Sequence, residues 1–450
     1  MRKLGILALV AVLAVSLAAP ARAQDEGEKK WNIHGEVRAR ADYFENYDYL
    51  DVDNGGVDDN ASIWPYMVRV SIDGTITDNV KAMVEFRNDG LFGSAPTFNE
   101  FGTAPWFYTS AYSSEDNVNL YQGWIQIDQL FGWDSFSARV GRQEMILGTE
   151  LLLGDNDFYT GQSYDGARLM WNHETWSINA FYFKLVENNF FNSPFGIPVD
   201  GESFDTNLLG AAFNYKTEGW GGFDIYMLRY QGLDDYFGSS LYPGSGIDTY
   251  GARWGNSAEK GLFDWNIEYA IQSGDYDIPT GGVGGPTTNV DLSSDVIEGW
   301  LGVNFRPGNS HHRFNVGYLA ASGDDPTTTD DETFFPLFGD SNEYNRLGNL
   351  DNFGLSNVED ISVAYTGAFA EGKHTFMLAV HQLALDQPFT VGGEDDLGMA
   401  WDLNYMYQYN KMVGLEVNVS QGMPGDYQDL AVGGSADTAS RYYAQLNVRW

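Results

Sequence analysis

The chain contains no cysteine, so neither a disulfide framework nor a thiolate metal site is open to it. Histidine is sparse. His34, His173, His311, His312, His374 and His381 stand at no zinc-ligand spacing, and His311–His312 falls in an expected turn. Basic residues number 25 against 63 acidic ones, for a formal net charge of −38. A phosphate-binding face needs the opposite balance, which argues against nucleic acid as a partner. Past residue 24 no apolar run approaches the ~20 residues of a membrane helix, and mean hydropathy is −0.32. No i, i+3, i+4 pattern persists. There is no phosphate-cradling glycine loop and no G-x-S-x-G elbow. "DVDNGGVDDN" puts Asp51, Asp53 and Gly56 at EF-like offsets, but Ser62 occupies the place of the bidentate glutamate. No cofactor or resident metal is expected.

What is present begins with "MRKLGILALVAVLAVSLAAPARAQ". A basic start (Arg2, Lys3), an apolar stretch from Leu4 to Ala19 and the small-x-small triplet Ala21-Arg22-Ala23 have the three parts of a secretory signal peptide. Residues 1–23 are expected to be removed, leaving 24–450 as a single domain that begins at Gln24. Loss of Arg2, Lys3 and Arg22 makes the remainder still more acidic.

Period-2 alternation runs through that remainder. In "WNIHGEVRARADY", Trp31, Ile33, Val37, Ala39, Ala41 and Tyr43 share one face, and His34, Glu36, Arg38, Arg40 and Asp42 the other. "GLFDWNIEYAI" and "MAWDLNYMYQY" repeat the pattern, and so does the C-terminal "RYYAQLNVRW". The pattern predicts about eighteen strands, from 31–43 to 441–450, most of them long enough for the ~9–11 residues of a tilted membrane strand. Among the later ones are 261–273, 294–306 and 411–421. Averaged hydropathy is blind to such strands because only every second residue is apolar.

Connections alternate between short turns ("TITDN", "NHE", "AEGK") and long Gly-, Asp-, Asn- and Pro-rich links such as 44–61, 90–116, 186–204, 274–293 and 323–356. That asymmetry predicts an all-β, antiparallel up-and-down transmembrane barrel of the outer membrane, with short periplasmic turns and long extracellular loops. An even strand number returns both termini to the short-turn end. The tail, ending on Trp450, would then pair with the strand that begins at Trp31, because lipid tolerates no free sheet edge. A soluble sandwich or propeller would also alternate, but with polar outward residues and shorter strands. Here the apolar face is rich in the chain's 27 Tyr, 28 Phe and 13 Trp, the residues of interfacial girdles.

If the apolar face meets lipid, the other face lines a lumen. Of the 25 basic residues 16 are Arg. The inward register collects Arg38, Arg40, Arg69, Arg87, Arg139, Arg168, Arg253, Arg306, Arg313, Arg441 and Arg449. Guanidinium groups stay charged and bind carboxylates bidentately, so they would lower the barrier to anions. Glu36, Glu85, Glu268, Glu298, Asp402 and Glu416 face the same way, and a neutralised ladder that stiffens the wall is the competing reading. Arg229 is ambiguous, because its strand alternates poorly.

The stretch "LYQGWIQID", followed by "ARVGRQEMILGTELLLGDNDFYTGQSYDGARLMW", resembles the signature region of the alginate-export family of outer-membrane porins. Gly141, Arg142, Gln143, Glu144, Gly154, Asp155, Asp165, Arg168 and Leu169 carry the likeness. It implies an eighteen-stranded barrel conducting anionic polysaccharide or other small anionic solutes, with Arg142 near the constriction and Glu144 as its ion-pair partner. Glu150, Asp155 and Asp157 add negative charge to the matched loop. The implied partners are outer-membrane lipid and lipopolysaccharide, the outer-membrane assembly machinery and small anionic or saccharide solutes. Two other functions stay open: a barrel hydrolase with a Ser/His/Asn site at its rim, and an adhesive or structural barrel working through its acidic loops.

Overall fold

The computed structural model describes residues 31–47, 49, 60–92, 118–158, 161–186, 206–217, 219–231, 246–257, 261–279, 287–340, 345–350, 352–390, 393–433 and 435–450. The expected leader, 1–23, and residues 51–59 of the EF-like stretch lie outside them.

The strands, in order, are β1 (Trp31–Glu45), β2 (Ala61–Ile63), β3 (Pro65–Thr77), β4 (Val80–Leu91), β5 (Asn119–Ile127), β6 (Phe136–Gln143), β7 (Tyr164–Asn172), β8 (Trp176–Val186), β9 (Thr206–Thr217), β10 (Gly221–Gln231), β11 (Gly246–Asn256), β12 (Phe263–Pro279), β13 (Thr287–Phe305), β14 (His311–Ala321), β15 (Val358–Phe369), β16 (His374–Ala384), β17 (Asp396–Gln408), β18 (Val413–Pro424) and β19 (Ala439–Arg449). All belong to one antiparallel sheet of 19 strands. β2 is a three-residue piece beside β1, which leaves the eighteen long strands that the alternation predicts. A short helix, α1 (Asp426–Ala431), sits between β18 and β19.

The sheet closes on itself. β1 pairs with β3 on one side and with β19 on the other, in a register that sets Val37 opposite Val448 and Ala41 opposite Ala444. Trp450 extends the seam, donating from its N–H to the Gly35 carbonyl (3.0 Å) and accepting from the Gly35 N–H (3.1 Å). Its ring lies over Gly35, where any Cβ would collide with it. The tail is therefore the closing strand.

Alternation gives each strand two environments. Outward side chains such as Ile125, Leu301, Val316 and Ile361 are more than half exposed, and similar residues encircle the cylinder. An apolar surface of that extent is incompatible with water and fits hydrocarbon. Aromatic rings crowd its short-turn end, where Phe223 stacks on Trp254 at 5.7 Å and Trp171 meets Trp176 at the same distance.

The main departure is the β12–β13 hairpin. Its strands run to Pro279 and from Thr287, where the sequence predicts a link over 274–293. "SGDYDIP" and "TTNVDLSS" continue the ladder but have left the hydrocarbon zone, so the apolar half of the alternation disappears while the backbone pairing does not.

Candidate functional site

Two long-loop segments fold into the lumen and meet there. The first, described at 144–158 and 161–163 between β6 and β7, turns through Leu147–Leu153, which pair with each other. The second, between β14 and β15 and described at 322–340, 345–350 and 352–357, lays Phe338 alongside Leu153. Gly154 N–H donates to Phe338 O (2.9 Å), Phe338 N–H to Leu152 O (3.0 Å), and Asp340 N–H to Glu150 O (2.8 Å). Leu151, Leu152 and Leu153 are fully buried in a core completed by inward residues of the wall, among them Phe181, Phe183, Leu208, Leu228 and Val296. The long-loop half of the barrel thus holds a dry plug on one side.

Charge pins this plug to opposite walls. On the β1–β4 side, Asp157 accepts from Arg38 (2.8 Å), Arg87 (3.0 Å) and Arg69 (3.4 Å). Glu36 bridges Arg38, Arg69 and Arg449, and Arg87 is also paired with Asp89. Arg40 lies 3.8 Å above the ring of Phe158 and donates to Gln445. On the β12–β13 side, the Thr149 hydroxyl lies 2.8 Å from Glu268 and 2.7 Å from Glu298. Gly148, at φ 60°, lets the chain press against the Glu268 carboxylate, where a Cβ would clash. Arg346 of the second loop clamps Glu298 through Nε (2.7 Å) and Nη2 (3.0 Å) and donates to the carbonyls of Thr149 and Asp340.

Towards the short-turn end a polar belt crosses β5 to β14. Arg139 donates to Gln126 (2.7 Å) and lies 3.9 Å over Trp124. Arg168, its cross-strand neighbour, donates to Asn179 (2.8 Å). Asn214 joins Asp224, which pairs with Arg253 at 2.8 Å, and Arg313 forms a bidentate pair with Asp264. Arg306 is a correction: β13 ends at Phe305, so Arg306 lies exposed in the turn at the rim, donating to Gly261 O, and not on the inward wall.

Arg38, Arg40, Arg69, Arg87, Arg139, Arg168, Arg253, Arg313, Arg441 and Arg449 accordingly face the lumen, and most of them are ion-paired. Among the described residues, Arg40, Arg139 and Arg168 have no carboxylate within 4 Å. Arg142 is a correction. It shares the outward register of Val140 and pairs with Asp165 at 2.5 Å on the exposed face, so it does not line a constriction and does not meet Glu144. Glu144 lies in the lumen, where the Tyr121 hydroxyl bonds it. Arg229 is likewise outward, paired with Asp248 at 2.7 Å. Its strand alternates poorly because Tyr226, Leu228 and Tyr230 point into the plug core while Ile225 and Met227 point out. The sequence marks Asp157 only as negative charge in the matched loop and gives no sign that it anchors arginines, and Thr149 and Arg346 carry no sequence signal beyond polarity in a connection.

The loop carboxyls titrate apart. Burial pushes Glu144 up, with Glu85 and Asp155 adding to the effect. Asp155 is raised by burial and by Asp157. For Asp157 burial alone would raise the carboxyl, but Arg38, Arg69 and Arg87 override it and hold it below the usual range.

The model of the alginate export family matches residues 30–439. The chain belongs to that family. It is an outer-membrane channel rather than an enzyme. No curated protein matches its sequence. Among solved structures, Pseudomonas aeruginosa OccK9 (OpdG) is similar at 14% identity and TM-score 0.58, over 93% of this chain and 98% of that one. Pseudomonas aeruginosa OccK2 (OpdF), in complex with glucuronate, is similar at 11% identity and TM-score 0.55, over 93% and 98%. Pseudomonas aeruginosa OpdK, with vanillate, is similar at 12% identity and TM-score 0.53, over 93% and 99%. Identities this low establish a shared fold.

Two outcomes are expected. Asp157 stabilises the plug above the ordinary carboxylate range, around pH 4, and that contribution is lost only as pH falls through its lowered value. Glu144 and Asp155, both held above the usual carboxylate range, take up protons before Asp157 as pH falls, so acidification should raise anion over cation permeability in bilayer recordings while the plug is still pinned. Asp157→Asn should release the β1–β4 anchor at neutral pH. It leaves three arginines sharing one fewer charge, a loss of about 3 kcal/mol or more, which would be read as faster protease cleavage of the 144–163 loop.

Proposed function

We propose that this protein is a passive conduit for small anionic solutes or anionic oligosaccharides, with Arg139 and Arg168 as the cations that a travelling anion meets. The observation that carries this is the cross-strand neighbours Arg139 and Arg168, two like charges with no ion-paired carboxylate, held by the neutral amides of Gln126 and Asn179 and, for Arg139, by the Trp124 ring. A pair so placed repels itself and gains from a carboxylate entering between its members. Arg38, Arg69, Arg87, Arg253, Arg313 and Arg449 serve mainly as structural counter-charges, because acids already compensate them. Both readings of the arginine wall hold, for different residues. The glucuronate and vanillate in two structural neighbours fit the same chemistry, and solutes would move down their gradient.

Export in this reading uses residues 1–23 as a cleaved leader, with 24–450 forming the single barrel domain. The alternating C-terminal strand ending on Trp450 would be read by the outer-membrane assembly machinery. The outward apolar belt faces lipid, and the acidic loops face lipopolysaccharide.

Reconstituted in planar bilayers under a salt gradient, the channel should give reversal potentials favouring anions, and uronate oligomers should block it. Arg139→Gln with Arg168→Gln should lower the anion-to-cation permeability ratio severalfold, with single-channel current persisting. A cation-selective wild-type channel overturns the reading.

A further inference from the structure

The lipid-facing side of the wall ends at a polar edge near the long loops. On β10 the outward positions read Phe223, Ile225, Met227 and then Arg229. The apolar outward run of β6 stops in the same way at Arg142, and that of β8 at Lys184. Among the described residues these three are the basic side chains on the outward face of the strands, and all stand between β6 and β10. Two carboxylates accompany them, Asp165 on β7 and Asp248 on β11. Further round, the edge carries Asp295 and Glu359, which bond the hydroxyls of Tyr269 and Tyr318. A chain of net charge −38 thus gathers its outward cations in one sector.

The ion pairs of that sector leave donors over. Arg142 is closed, with Nε (2.8 Å) and Nη2 (2.5 Å) on Asp165 and Nη1 on Leu120 O. Arg229 is not. Its side chain is half exposed, and among the described residues its hydrogen bonding is limited to Nη1 on Asp248 (2.7 Å). Lys184 stands across β9 from it: Lys184 is opposite Asn207, and Arg229 is opposite Leu209, the next outward residue of β9. Two strand spacings and a two-residue offset put their Cα atoms about 12 Å apart, a gap that two long side chains close around one anion.

Directly below, the apolar face is hollow. A groove of about 600 Å³ crosses β7 to β11, floored by Ala167, Ala180 and Ala211 and walled by Leu169, Tyr182 and Met227, with Arg229 and Asp248 at its rim. Cations above an apolar groove match a molecule with an anionic head and a hydrocarbon tail. A soluble phosphate gains nothing from the groove, and an uncharged lipid gains nothing from the cations.

We propose that this sector binds lipopolysaccharide, with a phosphate of its sugar headgroup between Lys184 and Arg229 and an acyl chain in the groove. The long-loop end is the external end of an outer-membrane barrel, and lipopolysaccharide is the phosphorylated glycolipid of that leaflet. Arginine and lysine are the usual phosphate partners, while Asp248 holds the guanidinium of Arg229 at the groove. The site lies outside the lumen and is independent of what the channel conducts.

The test is native mass spectrometry of the delipidated channel in detergent, titrated with diphosphoryl lipid A, its dephosphorylated form and phosphatidylglycerol. Wild type should retain diphosphoryl lipid A in preference to the other two. Lys184→Gln with Arg229→Gln should weaken that binding roughly tenfold, and Ala180→Phe, which fills the groove without changing charge, should weaken it severalfold. Arg306→Gln, a charge removed at the opposite rim, should leave it unchanged. Unaltered single-channel conductance shows that each variant has assembled. No retention by wild type, undiminished binding in the double variant or in Ala180→Phe, or an equal loss in Arg306→Gln overturns the site. Phosphatidylglycerol held as tightly as diphosphoryl lipid A overturns the glycolipid as its occupant.

Discussion

Every backbone N–H and C=O that enters hydrocarbon must find a partner within the protein. That constraint fixes the rest. It forces the sheet to close, so β19 must meet β1, and it makes the last residue part of the ladder. It also assigns one side of each strand to lipid and the other to the lumen, so polar side chains have only one place to go.

A lumen filled this way has its own electrostatic problem. Charges brought into a confined, partly dry interior are costly unless paired, and the barrel meets this by drawing two loops inward. Asp157 stands where three arginines converge, and Arg346 stands beside a carboxylate opposite Glu268. The plug is thus a counter-charge as well as an obstruction. The plug leaves Arg139 and Arg168, on β6 and β7, without a carboxylate partner among the described residues, which is why the proposed anion path runs past them. Position and net charge are coupled: moving the loop would also change the charge of the path.

The sequence discloses those features that depend on parity. The number of long strands, the closing tail, the inward arginines of β1, β3, β4, β6, β7, β11, β14 and β19, and the inward Glu36, Glu268 and Asp402 all follow from counting by twos. Where parity stops carrying burial, the reading weakens. Arg142 lies one register step from the lumen, and a family likeness says nothing about which face it takes. Arg229 sits on β10, whose two faces are both apolar because one touches lipid and the other the plug. Beyond Ser273 the β12–β13 hairpin keeps its pairing without the apolar face that advertises a strand. Contacts of Asp157, Thr149 and Arg346 span the barrel and depend on where loops fold, which no local pattern encodes.

The most direct test of the closed cylinder uses the natural absence of cysteine. Ala41 and Ala444 face each other across the β1–β19 seam, as a hydrogen-bonded pair whose Cα separation of about 5.5 Å lies within the disulfide range. With Ala41→Cys and Ala444→Cys together, mild oxidation of outer-membrane preparations should consume both thiols in a single intramolecular bond, while either substitution alone leaves its thiol free. Persistence of two free thiols in the double variant, under conditions that oxidise a control pair on β14 and β15, would mean that the seam is open and would contradict the account.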